Sequence, residues 1–367
     1  MSIERFLENS VSSWMAGQGG HSDIVMSTRV RLARNLTGYR FPLSFSENEA
    51  LQVDQAVSSV LLDAGAELES NFSYINIKEL SDLNRQVLVE KHLISPKLAH
   101  SEVAGSVLLS DDEAFSVMIN EEDHIRIQCL FPGLQLNEAY KNADAIDELL
   151  EKELPYAFDE QFGYLTSCPT NTGTGLRASV MMHLPALTMT KQMNRIVTAI
   201  TRLGMVVRGI YGEGSEALGN VYQVSNQTTL GKSEEDILVD LQSVTEQIIQ
   251  KEREAREVLM RARPNALEDK LYRSLGVLTF ARSITTEEAG RCLSDVRLGI
   301  DLGLIDGVDV SILNECMIFM QPGFLQQYAG ITLQAEERDV FRAKLFRERL
   351  QVGSNNEEQE GEESHDV

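Results

Sequence analysis

Cys168-Pro169-Thr170-Asn171-Thr172-Gly173-Thr174-Gly175-Leu176-Arg177 lies inside a stretch, residues 161–212, that contains no Asp or Glu. The same stretch carries Arg177, Lys191, Arg195, Arg202 and Arg208, so it is about +5 within a chain of formal charge −23. Clearing every carboxylate from such a segment suits a surface that faces a dense anion such as a polyphosphate. The segment closes on Arg208-Gly209-Ile210-Tyr211-Gly212-Glu213. Gly173-Thr174-Gly175-Leu176-Arg177-Ala178 fits GxGxxA, but a dinucleotide fingerprint needs an unbroken helix next and an acid about twenty residues on. Here Pro185 interrupts, and the next carboxylate is Glu213. A Walker A loop needs Gly-Lys-Ser/Thr, which is absent. What remains is a Gly-rich loop ending on Arg, able to hold phosphate through backbone N–H groups and a guanidinium fork.

Outward from this loop, residues 24–231 mix strand and helix signals. Residues 24–32 alternate and are β-rich, which puts Arg29 and Arg31 on one face of an extended segment. Residues 72–77, 86–90, 114–119, 125–131, 205–210 and 219–224 read as further strands, with an antiparallel hairpin around an acidic tip at 120–124. Helices are expected at 46–69, opened by a capping box of Ser46 with Glu49, at 137–154 and at 190–203. From Ser233 only helical patterns follow: a long helix to Arg263 stopped by Pro264, then 267–275, 286–302, 310–320 and 335–350. The expected fold is α+β: an antiparallel-rich sheet with flanking helices, then an all-α C-terminal domain. The expected parts are a lead at 1–23, a catalytic domain at 24–255, a helical domain at 256–352 and a disordered acidic tail at 353–367.

The chain has 367 residues, enough for two or three cores, and no run of eighteen apolar residues that would span a membrane. The start, MSIERFLENSVSSW, has no signal-peptide core. Cys129, Cys168, Cys292 and Cys316 stand at no metal spacing, so reduced thiols in a cytoplasmic protein are expected. The acidic balance argues against direct nucleic-acid binding. Residues 355–367 contribute six acids and no Lys or Arg, and read as a solvating tail.

Arg29, Arg31, Arg126, Arg177 and Arg208 lie on separate segments beside β-type sequence. Any one of them alone reads as a solvated surface arginine, but five at strand ends match bidentate recognition of phosphate. Glu121-Glu122-Asp123-His124 is either a hydrophilic hairpin tip or a source of one carboxylate for the site. Cys168 is either a small buried hydrophobe or a thiol activated by basic neighbours. Arg338 and Arg342, four apart on a C-terminal helix, could grip a phosphate together while Asp339 pairs with a guanidinium; an ordinary solvated face is the alternative.

Ser27-Thr28-Arg29-Val30-Arg31, Asn120-Glu121-Glu122-Asp123-His124, CPTN…GTGLRASV at 168–180, Arg208-Gly209-Ile210-Tyr211-Gly212-Glu213 and GNVYQVSNQTTLG at 219–231 together resemble the phosphagen (guanidino) kinases. The resemblance covers residues 24–255 with order and spacing intact. Two departures point to the branch that phosphorylates arginine on proteins. Only 26 residues precede Ser27, where small-guanidine kinases carry a helical domain, and this chain adds a helical C-terminal domain. Tyr211, where small-guanidine enzymes commonly place a basic residue, points the same way.

The resemblance implies transfer of the γ-phosphoryl of ATP, with Mg2+, to a protein arginine. It implies a nucleotide site of Ser27, Thr28, Arg29, Val30, Arg31, His92, Arg126, Arg177, Ala178, Ser179, Val180, Met181, Arg208, Gly209, Ile210, Tyr211, Gly212 and Glu213. Glu122, Cys168 and Glu213 are the implied catalytic residues, and no protein ligand to the metal is named. The RDxxRA pattern at Arg338, Asp339, Arg342 and Ala343 resembles the branch's phosphoarginine pocket. The implied partners are protein substrates with exposed arginine, a zinc-binding activator protein, a Clp ATPase/protease, a heat-shock repressor and a second copy of the chain. A free-arginine kinase and a non-catalytic phosphoarginine-binding regulator remain the alternatives.

Overall fold

The computed structural model describes residues 3–8, 12–15, 17–63, 70–209 and 217–350. The expected tail and the segment Ile210, Tyr211, Gly212 and Glu213 lie outside the described residues. The strands are β1 Val25–Arg34, β2 Phe72–Asn76, β3 Ser106–Ser110, β4 Phe115–Ile119, β5 Ile125–Pro132, β6 Phe158–Asp159, β7 Gly163–Tyr164, β8 Leu176–His183, β9 Met205–Gly209 and β10 Val221–Asn226. Eight of them form one sheet in the order β2-β3-β4-β5-β1-β8-β10-β9, and every adjacent pair is antiparallel. The helices are α1 Glu4–Glu8, α2 Glu47–Asp63, α3 Asp82–Glu90, α4 Pro96–Ala99, α5 Leu136–Glu153, α6 Pro185–Met189, α7 Met193–Arg202, α8 Glu234–Ala262, α9 Pro264–Phe280, α10 Thr286–Asp301, α11 Val310–Phe319, α12 Pro322–Ala329 and α13 Ala335–Arg349. This is the α+β architecture expected from the sequence.

Period-two alternation divides the sheet into two unlike faces. Val30, Leu32, Ile127, Cys129, Ala178, Val180 and Val224 point to one side, where they pack with apolar residues of α2, α5, α7 and α8. Arg29, Arg31, Arg126, Gln128, Arg177 and Gln223 alternate with these and point to the other side. The far end of that second face is apolar. There Val107, Leu109, Met118, Leu130, Met181 and Val221 share a core with Leu271, Leu293, Phe319, Phe324 and Phe346 of the C-terminal helices. The helical region thus covers one end of the face and leaves the arginine end open.

Polar ties fix this docking. Arg297 Nη2 donates to the Ser22 carbonyl at 2.6 Å, and Asn314 Nδ2 to the Met15 carbonyl at 2.6 Å. The leading residues belong to the same core, with Phe6, Leu7, Trp14 and Met15 buried in it. Helix α8 runs unbroken through residue 255, and Pro264 opens α9 as well as closing α8. Its capping box of Ser233 with Asp236 is formed.

One expected strand is a helix. Residues 86–90, read as β from their Val and Leu content, belong to α3, because Ser81 caps the N-terminus by accepting the Asn84 N–H at 3.1 Å. Val87 and Leu88 then fall on the buried side. Helix α2 starts on the expected box, with Ser46 N–H donating to Glu49 at 2.8 Å, and runs to Asp63; the rest of the expected span, 64–69, lies outside the described residues.

Candidate active site

Register places the arginines together. Arg31 stands directly opposite Arg177 across β1 and β8, and opposite Gln128 across β1 and β5. Arg126 is paired with Ala33, and Arg208 with Gln223, whose Oε1 accepts from Arg29 at 2.9 Å. Like charges directly opposite on a sheet repel. Burial, then Arg29, Arg126 and Arg177, drives the Arg31 pKa well below its usual range; Glu121 offsets part of this. Arg177 is lowered by burial, Arg208 and Arg126, with Cys168 and Glu122 opposing. Such a cluster is stabilised by an anion with several oxygens.

Arg31, Glu122, Arg126, Cys168, Asn171 and Arg177 line one open cleft of about 80 Å³. The hairpin tip that supplies Glu122 is not the solvated turn expected of four polar residues. Glu121, Asp123 and His124 are buried. Glu121 holds Arg126 Nη1 at 2.9 Å, and Glu122 holds Arg126 Nη2 at 3.2 Å, with Lys97 Nζ at 3.9 Å. Asp123 Oδ1 accepts from Asn35 Nδ2 at 2.7 Å and from the Ser167 N–H at 2.6 Å. That second bond pins the segment entering Cys168 to the tip carrying Glu122, so the two candidate catalytic residues share one rigid support. Sequence reading singled out Glu122 and missed Glu121 and Asp123; their signal was the same run of acids. Cys168 Sγ lies 3.0 Å from Thr170 Oγ1 and is partly exposed.

The Gly-rich loop uses two of its N–H groups to pack against the rest of the chain. Gly173 N–H donates to the Tyr164 carbonyl at 3.3 Å and Thr174 N–H to the Thr229 carbonyl at 3.1 Å. Thr229 Oγ1 closes the loop from outside, bonding the Thr170 and Thr172 carbonyls at 3.0 and 2.8 Å. Both glycines have positive φ, and a Cβ on Gly175 would sit 2.6 Å from the Ala33 carbonyl oxygen. They allow close backbone packing that delivers Arg177 to the cleft.

The expected nucleotide set divides between the two faces of the sheet. Thr28, Val30, Ala178 and Val180 point away from the arginine face: Val30, Ala178 and Val180 are core, and Thr28 Oγ1 donates to the Gly133 carbonyl at 2.7 Å. The β8 backbone is taken up by ladders to β1 and β10, so it is not a free donor row. Ser27, Ser179 and Met181 are buried on the arginine side, Met181 within the apolar end. His92 follows α3 in a left-handed conformation, φ 60. Its ring lies 5.6 Å from the Trp14 ring, and burial, then Arg29, pushes its pKa down to about 3, so it is neutral.

At the C-terminal pattern the two arginines divide. Arg342 is buried: Nε donates to the Met320 carbonyl at 3.0 Å, and Nη1 to the Ile284 carbonyl at 2.8 Å and Asp339 Oδ1 at 2.6 Å. These bonds fix its Nε and Nη1 within the helical region. Ala343 is buried too, whereas Arg338 and Asp339 are half-buried. Arg342→Ala leaves those carbonyls without a donor and is expected to cost about 2–3 kcal/mol in chemical denaturation. Arg338→Ala is expected to cost about 1 kcal/mol or less; equal losses would contradict this division.

The family model "ATP:guanido phosphotransferase, C-terminal catalytic domain" matches residues 52–255, and "Protein-arginine kinase McsB C-terminal domain" matches residues 264–361. A protein-arginine kinase of Geobacillus sp. (strain WCH70) is 57% identical over 352 residues, 96% of this chain and 97% of the relative. That of Bacillus pumilus (strain SAFR-032) is 57% identical over 362 residues, 99% of each chain. Among solved structures, a lombricine kinase is similar at 27% identity and a TM-score of 0.56, over 67% of this chain and 70% of that one. The duplicated taurocyamine kinase of Schistosoma mansoni with bound transition-state-analog components is similar at 25% identity and a TM-score of 0.59, over 77% of this chain and 41% of that one. With the arginine-lined cleft and the helical region both in place, the chain belongs to the protein-arginine kinases, a branch of the ATP:guanido phosphotransferase family.

Proposed function

We propose that the cleft transfers the γ-phosphoryl group of Mg·ATP to a guanidinium nitrogen of an arginine presented by a protein. The observation that carries this is the convergence of Arg31, Arg126, Arg177, Glu122 and Cys168 on one cleft. Arg29, Arg31, Arg126, Arg177 and Arg208 neutralise phosphate charge as it spreads over the transferring oxygens. Both acids at the tip are engaged by Arg126, so the metal would ride with the phosphates and water rather than on a protein cage.

A guanidinium is protonated and its lone pairs are delocalised, so it attacks poorly unless a base takes its proton. Glu122, on the cleft wall, is that base. The nitrogen forms the N–P bond, the P–O bond to the β-phosphate breaks, ADP leaves with the electron pair, and the proton passes to Glu122. Glu213 is the second carboxylate that fixes the guanidinium plane. Cys168, on the same cleft wall, contacts a nitrogen of the bound guanidinium through its sulfur. Cys168→Ala is expected to lower kcat on the order of 10²-fold while ATP affinity and melting temperature hold. A variant that unfolds instead would return Cys168 to a packing role.

The same reading extends to Arg338, Asp339, Arg342 and Ala343 as a phosphoarginine pocket, to a cytoplasmic homodimer joined through the helical region, and to a zinc-binding activator protein. It also makes the marked proteins clients of a Clp ATPase/protease and includes a heat-shock repressor among the targets. Support comes from the match of the helical region to its family and from the RDxxRA pattern. Among the described residues no helix is long and apolar enough to cross a membrane. Phosphoarginine binding undiminished in Arg338→Ala with Asp339→Ala, by calorimetry, would remove the pocket. Sedimentation of the full chain as a monomer would remove the dimer, and a phosphorylated protein degraded no faster by Clp protease would remove the marking role.

A further inference from the structure

Helix α12 opens at Pro322, and its N-cap residue, Gln321, makes no side-chain cap. The cap comes from another part of the chain. Glu90, the last residue of α3, places Oε1 2.8 Å from the Gly323 nitrogen and Oε2 2.7 Å from the Phe324 nitrogen. A carboxylate bridging the first free N–H groups of a helix satisfies both and sits at the positive end of its dipole. Gln86 Nε2 steadies Oε1 from one turn back at 2.9 Å. Gly323 makes the approach possible, since a Cβ there would lie 2.8 Å from Glu90 Oε2. Gly323 has no left-handed φ, so room for the carboxylate is what the position needs.

The two residues after Glu90 run into the nucleotide face. Lys91 is fully buried, donating to the Phe6 carbonyl at 2.8 Å and to Glu113 at 2.6 Å. His92 then turns through φ 60, a conformation a non-glycine residue holds only when its surroundings impose it. Its carbonyl accepts from Gln128 Nε2 at 2.8 Å, and Gln128 stands opposite Arg31. On the helical side, α12 follows Met320, whose carbonyl receives Arg342 Nε. A continuous set of bonds therefore joins α13, α12, α3 and the turn that presents His92.

We infer that Glu90 is a positioning residue for nucleotide binding: by clamping α12 it holds the Lys91-His92 turn, and so the His92 ring, in place against Trp14. This rests on the reading of the arginine face as the nucleotide site. The clamp acts through a preformed turn rather than on transferring atoms, so it governs ATP affinity and not the chemical step.

The test compares Glu90→Ala and Gly323→Ala in the full chain. The second displaces the carboxylate while leaving the sheet and all its arginines untouched. Each is expected to weaken binding of a non-hydrolysable ATP analogue, by calorimetry, about tenfold, and to raise KM for ATP in step. kcat at saturating ATP is expected to stay within about twofold. The double variant is expected to be no weaker than Glu90→Ala alone, because both remove the same clamp. Glu90→Asp with Gly323→Ala, which shortens the acid as it fills the space, is expected to recover affinity. Unchanged ATP affinity in folded Gly323→Ala, or additive losses in the double variant, would overturn the clamp. Arg31→Ala separates the two levels: if it binds the analogue normally, the nucleotide-site reading falls; if it loses binding while Glu90 and Gly323 variants do not, only the clamp falls.

Discussion

Arg177→Ala is expected to lower kcat/KM for protein-arginine phosphorylation by about 10³-fold, the scale of losing an arginine that meets transition-state charge. The size follows from position. Arg177 is delivered by a loop whose Gly173 and Thr174 N–H groups hold it to Tyr164 and Thr229, and it stands directly opposite Arg31 in the register. Two guanidinium groups kept face to face and partly dehydrated are costly unless phosphate oxygens lie between them. The charge that destabilises the empty cleft is then matched as negative charge spreads over the transferring group. Because the matching is greatest in the transition state, kcat falls and not only affinity. Steady-state kinetics at saturating ATP reads this directly. Normal turnover once saturated would make Arg177 a ground-state binder. Arg208→Ala, on β9 at the far side of β10, is expected to follow it in direction.

Glu122→Gln is expected to reduce phosphoryl transfer about 10³-fold while ATP binding stays within a few-fold. The amide keeps the shape of the side chain and one acceptor for Arg126 Nη2, now 3.2 Å from the carboxylate. Arg126 also keeps its second, more buried partner, Glu121, at 2.9 Å. The phosphate clamp therefore survives, and what is lost is the site that receives the guanidinium proton. Single-turnover kinetics with pre-bound ATP separates the two steps. Undiminished transfer would move the base role to Glu213.

The sheet was legible because its strands follow a strict two-residue alternation. Leu, Val and Ala at 30, 32, 176, 178 and 180 on one side dictate that Arg29, Arg31 and Arg177 share the other. Composition added the rest: an acid-free window within an acidic chain is hard to build except against an anion. What failed was any reading that depends on where backbone groups go. The glycines at 173 and 175 resemble a phosphate loop in sequence, yet the Gly173 and Thr174 N–H groups are taken by the carbonyls of Tyr164 and Thr229, which the local pattern does not show. Arg342 looked like the twin of Arg338 from helical spacing alone, but spacing does not show that Ile284 and Met320 carbonyls lie waiting for it. Residues 86–90 carry β-type side chains, and a single serine cap upstream decided for helix. The run of acids marked Asp123 as a candidate and α3 ended on Glu90, but their decisive partners, Ser167 and the Gly323 and Phe324 N–H groups, are far off in the chain.

The central claim is that the acceptor is an arginine within a protein. The direct measurement incubates the full chain with γ-labelled ATP and either free arginine or an arginine-rich protein at equal guanidinium concentration. The product is read as acid-labile label and located by mass spectrometry under non-acidic conditions. The expected result is label on protein arginine side chains, with free arginine turned over far more slowly, and loss of that label in Glu122→Gln. Label appearing on free arginine in preference to the protein, or on neither while ATP still binds, would contradict the account.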